Sequence, residues 1–131
     1  MKARRSIDDM LAEARRRIVR LPPRDAWRVM DAGGVLVDLR CDDDRRRFGI
    51  VPGSIHIPRT VLEWRADPES QWRDDRIARL DAHLVLMCSD GYSSSLAAAS
   101  LCDLGFSDVG DVIGGFTAWR RDGLPTISLE G

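Results

Sequence analysis

The chain contains 131 residues, of which 44% are hydrophobic and 31% charged, and its formal net charge is -1. This composition is typical of a single globular domain and excludes a polyelectrolyte that binds nucleic acid through its bulk charge. No apolar run is long enough to span a membrane, and no apolar segment follows the first charged residues as in a secretory signal. We therefore expect no membrane and no nucleic-acid partner.

Cysteine and histidine usage restricts the function further. The three cysteines are few and unevenly spaced, which argues against a disulfide scaffold and predicts a reducing, cytoplasmic compartment. With two histidines and no Cys-x-x-Cys pair, the sequence predicts no metal site.

Residues 1–21 are predicted to form a basic helical extension followed by the first strand. Ser6 is a predicted N-cap, and apolar residues continue at helical spacing as far as Ile18. The basic cluster at residues 15–17 has two interpretations, a solvated helix face or a contact with a partner, and the solvated face is preferred. Residues 18–21 follow as a short strand.

Apolar runs and breaker residues divide the rest of the chain into alternating helices and strands. The predicted elements are a helix over 23–32, a strand over 35–40, a charged loop over 42–47, a strand over 54–57, a short helix capped by Thr60 with Glu63, a surface helix over 69–80, a strand over 84–87, a helix over 94–104 and a strand over 109–113. This alternation predicts an α/β fold, with a mainly parallel sheet of about five strands and helices on both faces.

The chain is organised around Cys88, which ends the wholly apolar run of residues 84–87. A short polar loop follows, and then an Ala/Leu-rich helix begins at Ser94. Backbone N–H groups of the loop and the first helical turn are expected to point toward the sulfur, and the helix dipole favours negative charge there. Both effects stabilise the thiolate, which is the nucleophile. The alternative is that Cys88 is only a packing residue at the end of a core strand.

Three motifs in order carry a family resemblance: Val37-Asp38-Leu39-Arg40, then Cys88-x-x-Gly91-x-x-Ser94, and finally Gly114-Gly115-x-x-Ala118-Trp119-x-x-x-Gly123-Leu124-Pro125. Over residues 23–125 they resemble the rhodanese-like domains of the sulfurtransferase superfamily. The resemblance implies that residues 22–131 form the rhodanese-like domain and that the Asp38–Arg40 pair is structural.

The resemblance also implies a function. Cys88 would accept sulfane sulfur from thiosulfate or a persulfide and pass it, as a Cys88 persulfide, to a thiol or cyanide-type acceptor. No metal or organic cofactor is required. Tyr92, at the loop tip, would contact the donor or a protein partner. The residues expected to cradle the sulfur and the bound anion are Ser89, Asp90, Gly91, Tyr92, Ser93 and Ser94.

One departure concerns charge. Thiosulfate-using members usually carry basic residues inside the loop, where this chain has Ser89 and Ser93, and Asp90 adds a negative charge. Arg59 follows a strand at the same predicted sheet edge. We therefore hypothesise that Arg59 supplies the missing positive charge to the Cys88 site. The alternative is a solvated Arg59.

Two other functions stay open at this point. The first is a non-catalytic or redox-sensing rhodanese-like module that lacks thiosulfate turnover. The second is a cysteine-based phosphatase, which is disfavoured because that chemistry needs an arginine closing the loop, and none occurs between Cys88 and Arg120. Cys41 is either a resolving thiol or a bystander. The sequence does not identify the sulfur donor, the acceptor or the oligomeric state.

Overall fold

The computed structural model describes residues 4–130. Residues 1–3 of the predicted N-terminal extension and residue 131 of the predicted domain lie outside that range. The strands are β1 (Val19–Leu21), β2 (Val35–Asp38), β3 (Ile55–His56), β4 (Leu84–Met87) and β5 (Val109–Val112). The helices are α1 (Ile7–Arg16), α2 (Pro23–Asp31), α3 (Asp42–Phe48), α4 (Leu62–Ala66), α5 (Ser93–Asp103) and α6 (Gly115–Arg121), with a 3₁₀ turn over Arg59–Val61.

The five strands form one parallel sheet in the order β1-β5-β4-β2-β3. Strand β4 lies at the centre, with Leu84 aligned to Val35 of β2 on one side and to Val109 of β5 on the other. All four residues of β4 are fully buried, which explains its continuous apolar run. Cys88 therefore leaves the middle of the sheet at the carboxyl edge, where ligands bind in open α/β sheets.

Helices cover both faces of the sheet. Alternate residues of β4 belong to two separate cores: Leu84 and Leu86 pack in the core that includes helix α5, and Val85 and Met87 in the core that includes helix α6. Trp119 of α6 is fully buried in the second core, and its indole N–H donates to the Pro125 carbonyl at 2.9 Å. The predicted α/β fold with a parallel five-stranded sheet is confirmed.

The N-terminal segment is integrated into this fold. Ser6 caps α1 as predicted, since its hydroxyl accepts from the Asp9 amide while the Asp9 carboxylate accepts from the Ser6 amide. Helix α1 packs on α5, and β1 extends the sheet beside β5. The division of the chain at residue 21 stays a prediction.

Asp38 anchors the end of β2. Its buried carboxylate accepts hydrogen bonds from the Arg40 guanidinium (2.9 and 3.1 Å) and from Arg45 of α3 (3.3 Å). Arg40 also donates to the Gly49 carbonyl at 2.8 Å. These bonds tie the strand end to α3, which agrees with the structural role expected for the Asp38–Arg40 pair.

The charged loop predicted over 42–47 is wrong, because these residues form helix α3. Three acidic residues occupy its first turn and three basic residues its last. That order complements the helix dipole, and it allows an ion pair one turn apart between Asp43 and Arg47 (3.7 Å).

The helix predicted over 69–80 is also wrong, since this segment consists of turns. Asp67 accepts from the Glu69 amide at 2.9 Å, and Asp74 accepts from the Arg76 amide at 3.0 Å. Such aspartate turns satisfy the backbone locally and so compete with helix formation.

The predicted Thr60 cap is absent, because the chain turns through a 3₁₀ segment at residues 59–61 and Glu63 accepts from the Arg59 guanidinium instead. Within the described part of the chain, no helix is long and apolar enough to cross a membrane.

Candidate active site

Cys88 lies between the end of β4 and the start of α5, with 8% of its surface exposed. Its sulfur accepts two backbone hydrogen bonds, from the Gly91 amide at 3.1 Å and from the Ser94 amide at 3.4 Å. Ser94 belongs to the first turn of α5, whose amides have no partner within the helix. The sulfur thus occupies an anion site formed by the loop and a helix N-terminus.

The loop conformation depends on Gly91 and on α6. Gly91 has a φ of +85°, and a Cβ at this position would lie 2.7 Å from the Gly114 amide nitrogen and 3.1 Å from the Val112 carbonyl oxygen. The first amides of α6 bind the other side of the loop, from Phe116 to the Cys88 carbonyl at 2.8 Å and from Thr117 to the Ser89 carbonyl at 3.0 Å. Carbonyl groups are therefore held away from the sulfur while amides face it.

These contacts shift the pKa of Cys88. Burial is the largest influence and acts to raise the pKa, but hydrogen bonds from Ser94, Ser93 and the Gly91 amide outweigh it, so the pKa lies below that of an ordinary thiol. Ser94 has a single hydroxyl hydrogen, and it is donated to Asp111 at 2.8 Å. We therefore assign the effect of Ser94 on the sulfur to its backbone N–H rather than to its hydroxyl.

The loop side chains surround a pocket of about 290 Å³ over the sulfur. Tyr92 is 63% exposed at its rim. Asp90 turns outward and accepts from the Thr117 hydroxyl at 2.9 Å, and the Ser89 hydroxyl lies 3.4 Å from the Asp44 carboxylate. The pocket is lined by Leu39, Arg40, Cys88, Ser89, Asp90, Tyr92 and Ser93.

Arg59 is not brought to this pocket. Its guanidinium donates to both carboxylate oxygens of Glu63, at 3.0 and 3.1 Å, and it lines a different cavity formed largely by residues of α1 and α5. The i, i+4 pairing within the Arg59–Ala66 segment turns the side chain toward that cavity. The positive charge expected from Arg59 is therefore absent from the lining of the Cys88 pocket.

The sequence profile of the Rhodanese-like domain matches residues 22–122. The chain belongs to the rhodanese-like family. It is 41% identical over 112 residues to the thiosulfate sulfurtransferase GlpE of Pseudomonas syringae, covering 86% of this chain and 95% of that protein. It is 30% identical over 105 residues to the protein of the same name from Haemophilus influenzae, covering 80% and 90%.

Solved structures agree with the rhodanese-like fold. A protein of unknown function from Rhodopseudomonas palustris, described as a possible tyrosine phosphatase, superposes with a TM-score of 0.87 at 35% identity and covers 97% of this chain and 98% of its own. A rhodanese-related protein from Thermoplasma volcanium superposes with a TM-score of 0.65 at 26% identity, covering 85% and 97%.

Arg40 lines the Cys88 pocket, although the sequence analysis expected only a structural role for it. Its side chain lines the wall beside the sulfur, and its guanidinium stacks 3.7 Å from the centre of the Phe116 ring. The buried Nη1 atom has no hydrogen-bond partner among residues 4–130. Arg40 follows β2, the strand beside β4, so its position at the carboxyl edge of the sheet could have predicted that it lies near Cys88.

A larger cavity of about 690 Å³ adjoins the Cys88 pocket and shares Arg40, Ser89 and Asp90 with it. Phe116 contributes an aromatic surface, and two arginines of α6 contribute positive charge. Its remaining lining residues are Asp44, Phe48, Thr117, Arg120 and Arg121.

The sequence analysis raised two further questions about the site, whether it holds a metal ion and whether a second thiol takes part. Across residues 4–130 no group of three histidine, cysteine or acidic side chains could hold a metal ion. Cys41 is exposed at the N-terminus of α3 and forms no disulfide. Its role as a resolving thiol stays a prediction.

Proposed function

We propose that this rhodanese-like protein is a thiosulfate sulfurtransferase whose sulfur carrier is Cys88. The observation that carries the proposal is the pair of amides, from Gly91 and Ser94, directed at a buried thiol with a lowered pKa. Identity of about 40% to proteins named thiosulfate sulfurtransferase, over most of the chain, supports the choice of donor.

In the first step, the Cys88 thiolate attacks the outer sulfur of thiosulfate. A bond forms between the two sulfurs, the sulfur–sulfur bond of thiosulfate breaks, and sulfite leaves with the electron pair. Cys88 then carries a persulfide whose terminal sulfur is anionic. In this proposal the loop amides that face the thiolate also stabilise the charge on the terminal sulfur, which lies one bond beyond the Cys88 sulfur.

In the second step, an acceptor thiolate attacks the terminal sulfur of the persulfide, and the bond to Cys88 breaks to regenerate its thiolate. Cyanide would react in the same way and leave as thiocyanate. The larger cavity supports a thiol acceptor with an organic body, because it adjoins the Cys88 pocket and has both aromatic and cationic surface. Tyr92, exposed at the rim, is the proposed contact for a protein that carries the acceptor thiol.

Positive charge for the donor dianion comes from outside the loop in this proposal. Arg40 lines the pocket, and Arg120 and Arg121 line the adjoining cavity. Asp90 opposes them, but its carboxylate is directed at Thr117 rather than at the sulfur.

Intact-mass measurement tests the proposal. The wild-type protein is incubated with thiosulfate and, separately, with a polysulfide donor, and a thiol or cyanide is then added. We expect a gain of one sulfur atom that disappears with the acceptor. The Cys88→Ala variant should gain none, whereas the matched Cys102→Ala variant should behave as the wild type. A folded wild-type protein that gains no sulfur from either donor would contradict the proposal and favour the non-catalytic or redox-sensing module.

The phosphatase alternative is tested in the same samples with an aryl phosphate. The described loop from Cys88 to Ser94 contains no arginine to bind a phosphoryl group through two parallel hydrogen bonds. We expect no hydrolysis that depends on Cys88. Turnover lost in the Cys88→Ala variant would instead assign the chain to that chemistry.

A further inference from the structure

The carbonyl of Gly91, on the back of the Cys88 loop, is bound by two guanidinium groups. Arg15 Nη2 and Arg20 Nη2 each donate to it at 2.9 Å. Gly91 is the residue whose own amide donates to the Cys88 sulfur. One face of this glycine therefore contacts the reactive sulfur, and the other is held by two cations.

Both arginines belong to the segment before residue 22, where the family match begins. Arg15 comes from α1 and Arg20 from β1, so each reaches the loop across more than 70 residues of sequence. Arg15 also donates to the Ser95 hydroxyl at 3.1 Å, and its guanidinium lies 5.6 Å from the centre of the Tyr92 ring.

A buried carboxylate connects this pair to α5. Asp111 is fully buried in β5, accepts from Arg20 Nε at 3.0 Å, and also accepts the hydroxyls of Ser94 and Ser95 at 2.8 and 2.7 Å. The charge of Arg20 is thus paired. Arg15 forms no ion pair among residues 4–130, and it reaches the Asp111 carboxylate only through the Ser95 hydroxyl.

The geometry points to Arg15 and Arg20 as positioning residues for Cys88, which hold the loop from behind and supply positive charge that the loop itself lacks. A glycine at positive φ has little intrinsic preference for one conformation. The Gly91 carbonyl belongs to the peptide group shared with Tyr92, and the Gly91 amide to the preceding peptide group. Fixing the carbonyl restricts ψ of Gly91 and anchors its Cα, which limits how far the amide can move away from the sulfur. The charge of Arg15, which is half-buried beside the Tyr92 ring, adds positive potential on the back of the loop.

The experiment compares variants that alter the clamp with a matched surface variant. Arg15→Gln removes the guanidinium and its positive charge. Arg16→Gln is the control, because Arg16 is exposed, lies next in sequence and its side chain makes no polar contact within residues 4–130. The charged groups around the loop that both variants leave in place are Arg20, Arg40, Asp44, Asp90 and Asp111.

Removing Arg20 alone would leave the buried Asp111 carboxylate without its guanidinium, which is strongly destabilising. The second clamp variant is therefore Arg20→Gln combined with Asp111→Asn, because the asparagine oxygen still accepts the two serine hydroxyls. Urea unfolding establishes that each variant is folded before its reactivity is compared.

The readout is the pH dependence of Cys88 alkylation by iodoacetamide, an uncharged reagent, together with the rate of persulfide formation from thiosulfate. We expect Arg15→Gln to move the alkylation midpoint toward higher pH by about one unit, which is about a tenfold loss of rate below the midpoint. The double variant should shift in the same direction, and Arg16→Gln should match the wild type. Midpoints for both clamp variants equal to that of Arg16→Gln would overturn the inference.

The alkylation result does not depend on the proposed sulfur transfer, whereas the persulfide arm rests on it. A wild-type protein that forms no persulfide would contradict the proposed function. A shifted alkylation midpoint in Arg15→Gln would still support the clamp in that case.

Discussion

The two ends of helix α5 place cysteines in opposite environments. At its N-terminal end, Cys88 is buried, and hydrogen bonds from amides and serines overcome the effect of burial to lower its pKa. Near its C-terminal end, Cys102 is only half-buried, yet its pKa is raised. Burial is the main cause of the raised pKa of Cys102. The charge of Arg17 acts to lower this pKa, and the charge of Asp103 acts to raise it further.

The difference indicates that exposure alone does not set the pKa of a thiol in this protein. Cys88 receives N–H groups, whereas Cys102 lies beside a carbonyl, with its sulfur 3.5 Å from the Arg17 oxygen. The amides at the N-terminus of α5 favour a thiolate at Cys88. The carbonyl beside Cys102 comes from Arg17, the C-cap residue of α1, and it accepts from a neutral thiol.

The largest effect expected is that of Gly91→Ala. A Cβ at this position, with its positive φ, would collide with the backbone of Gly114 and displace the amide that faces Cys88. We expect Cys88 alkylation at neutral pH to fall on the order of 100-fold, as when a donor is removed from an oxyanion site. Peptide-resolved mass spectrometry measures that rate.

Gly123→Ala is the matched control for this change. Gly123 also has a positive φ, +72°, but no atom beyond its immediate chain neighbours lies within 4 Å of the position that an alanine methyl group would occupy. Its substitution should cost about 1 kcal/mol of stability through backbone strain and leave Cys88 reactivity unchanged. Equal reactivity of the two alanine variants would mean that the Gly91 amide does not activate the sulfur.

A smaller effect is expected for Ser94→Ala. The lost hydroxyl donates to Asp111, which keeps Ser95 and Arg20, while the residue 94 amide still faces Cys88. We expect a loss of about 1 kcal/mol in the free energy of unfolding and less than about a fivefold change in alkylation rate. Ser100→Ala is the control, since it removes a hydroxyl from the same helix two turns away from the Cys88 loop. A loss as large as that of Gly91→Ala would assign the Ser94 hydroxyl to the sulfur.

The smallest effect is expected for Arg59→Ala. Arg59 is paired with Glu63 and lines the cavity between α1 and α5, so its removal should change Cys88 alkylation and persulfide formation by less than about twofold. The two rates are compared with those of Arg15→Gln. A loss equal to the Arg15→Gln loss would restore Arg59 as the source of positive charge.

The centre of the fold was predictable because its signals are local. The apolar run of β4 and the Ala/Leu-rich α5 each indicate one element, and the loop between them follows from the change of pattern. Helix α3 has no apolar periodicity, so only the order of its acidic and basic residues indicated a helix. Within residues 69–80, scattered apolar residues imitate helical spacing, but aspartate turns determine the structure.

The site was predictable only in part for a related reason. The loop residues are adjacent in sequence to Cys88, whereas Arg15 and Arg20 contact Gly91 across separations of 76 and 71 residues. No local pattern encodes those contacts. Asp111 gave one usable signal, because a carboxylate inside a buried strand requires a partner.

The most direct test of the account is an alkylation titration of the wild-type protein with iodoacetamide, with Cys88 and Cys102 followed in the same samples by peptide mass spectrometry. Midpoints are compared rather than absolute rates, because the two thiols differ in accessibility. The thiolate fraction rises as pH rises through the pKa. We predict that the Cys88 midpoint lies below that of an ordinary thiol and the Cys102 midpoint above it. A Cys88 midpoint equal to or higher than that of Cys102 would contradict the claim that the loop stabilises a thiolate.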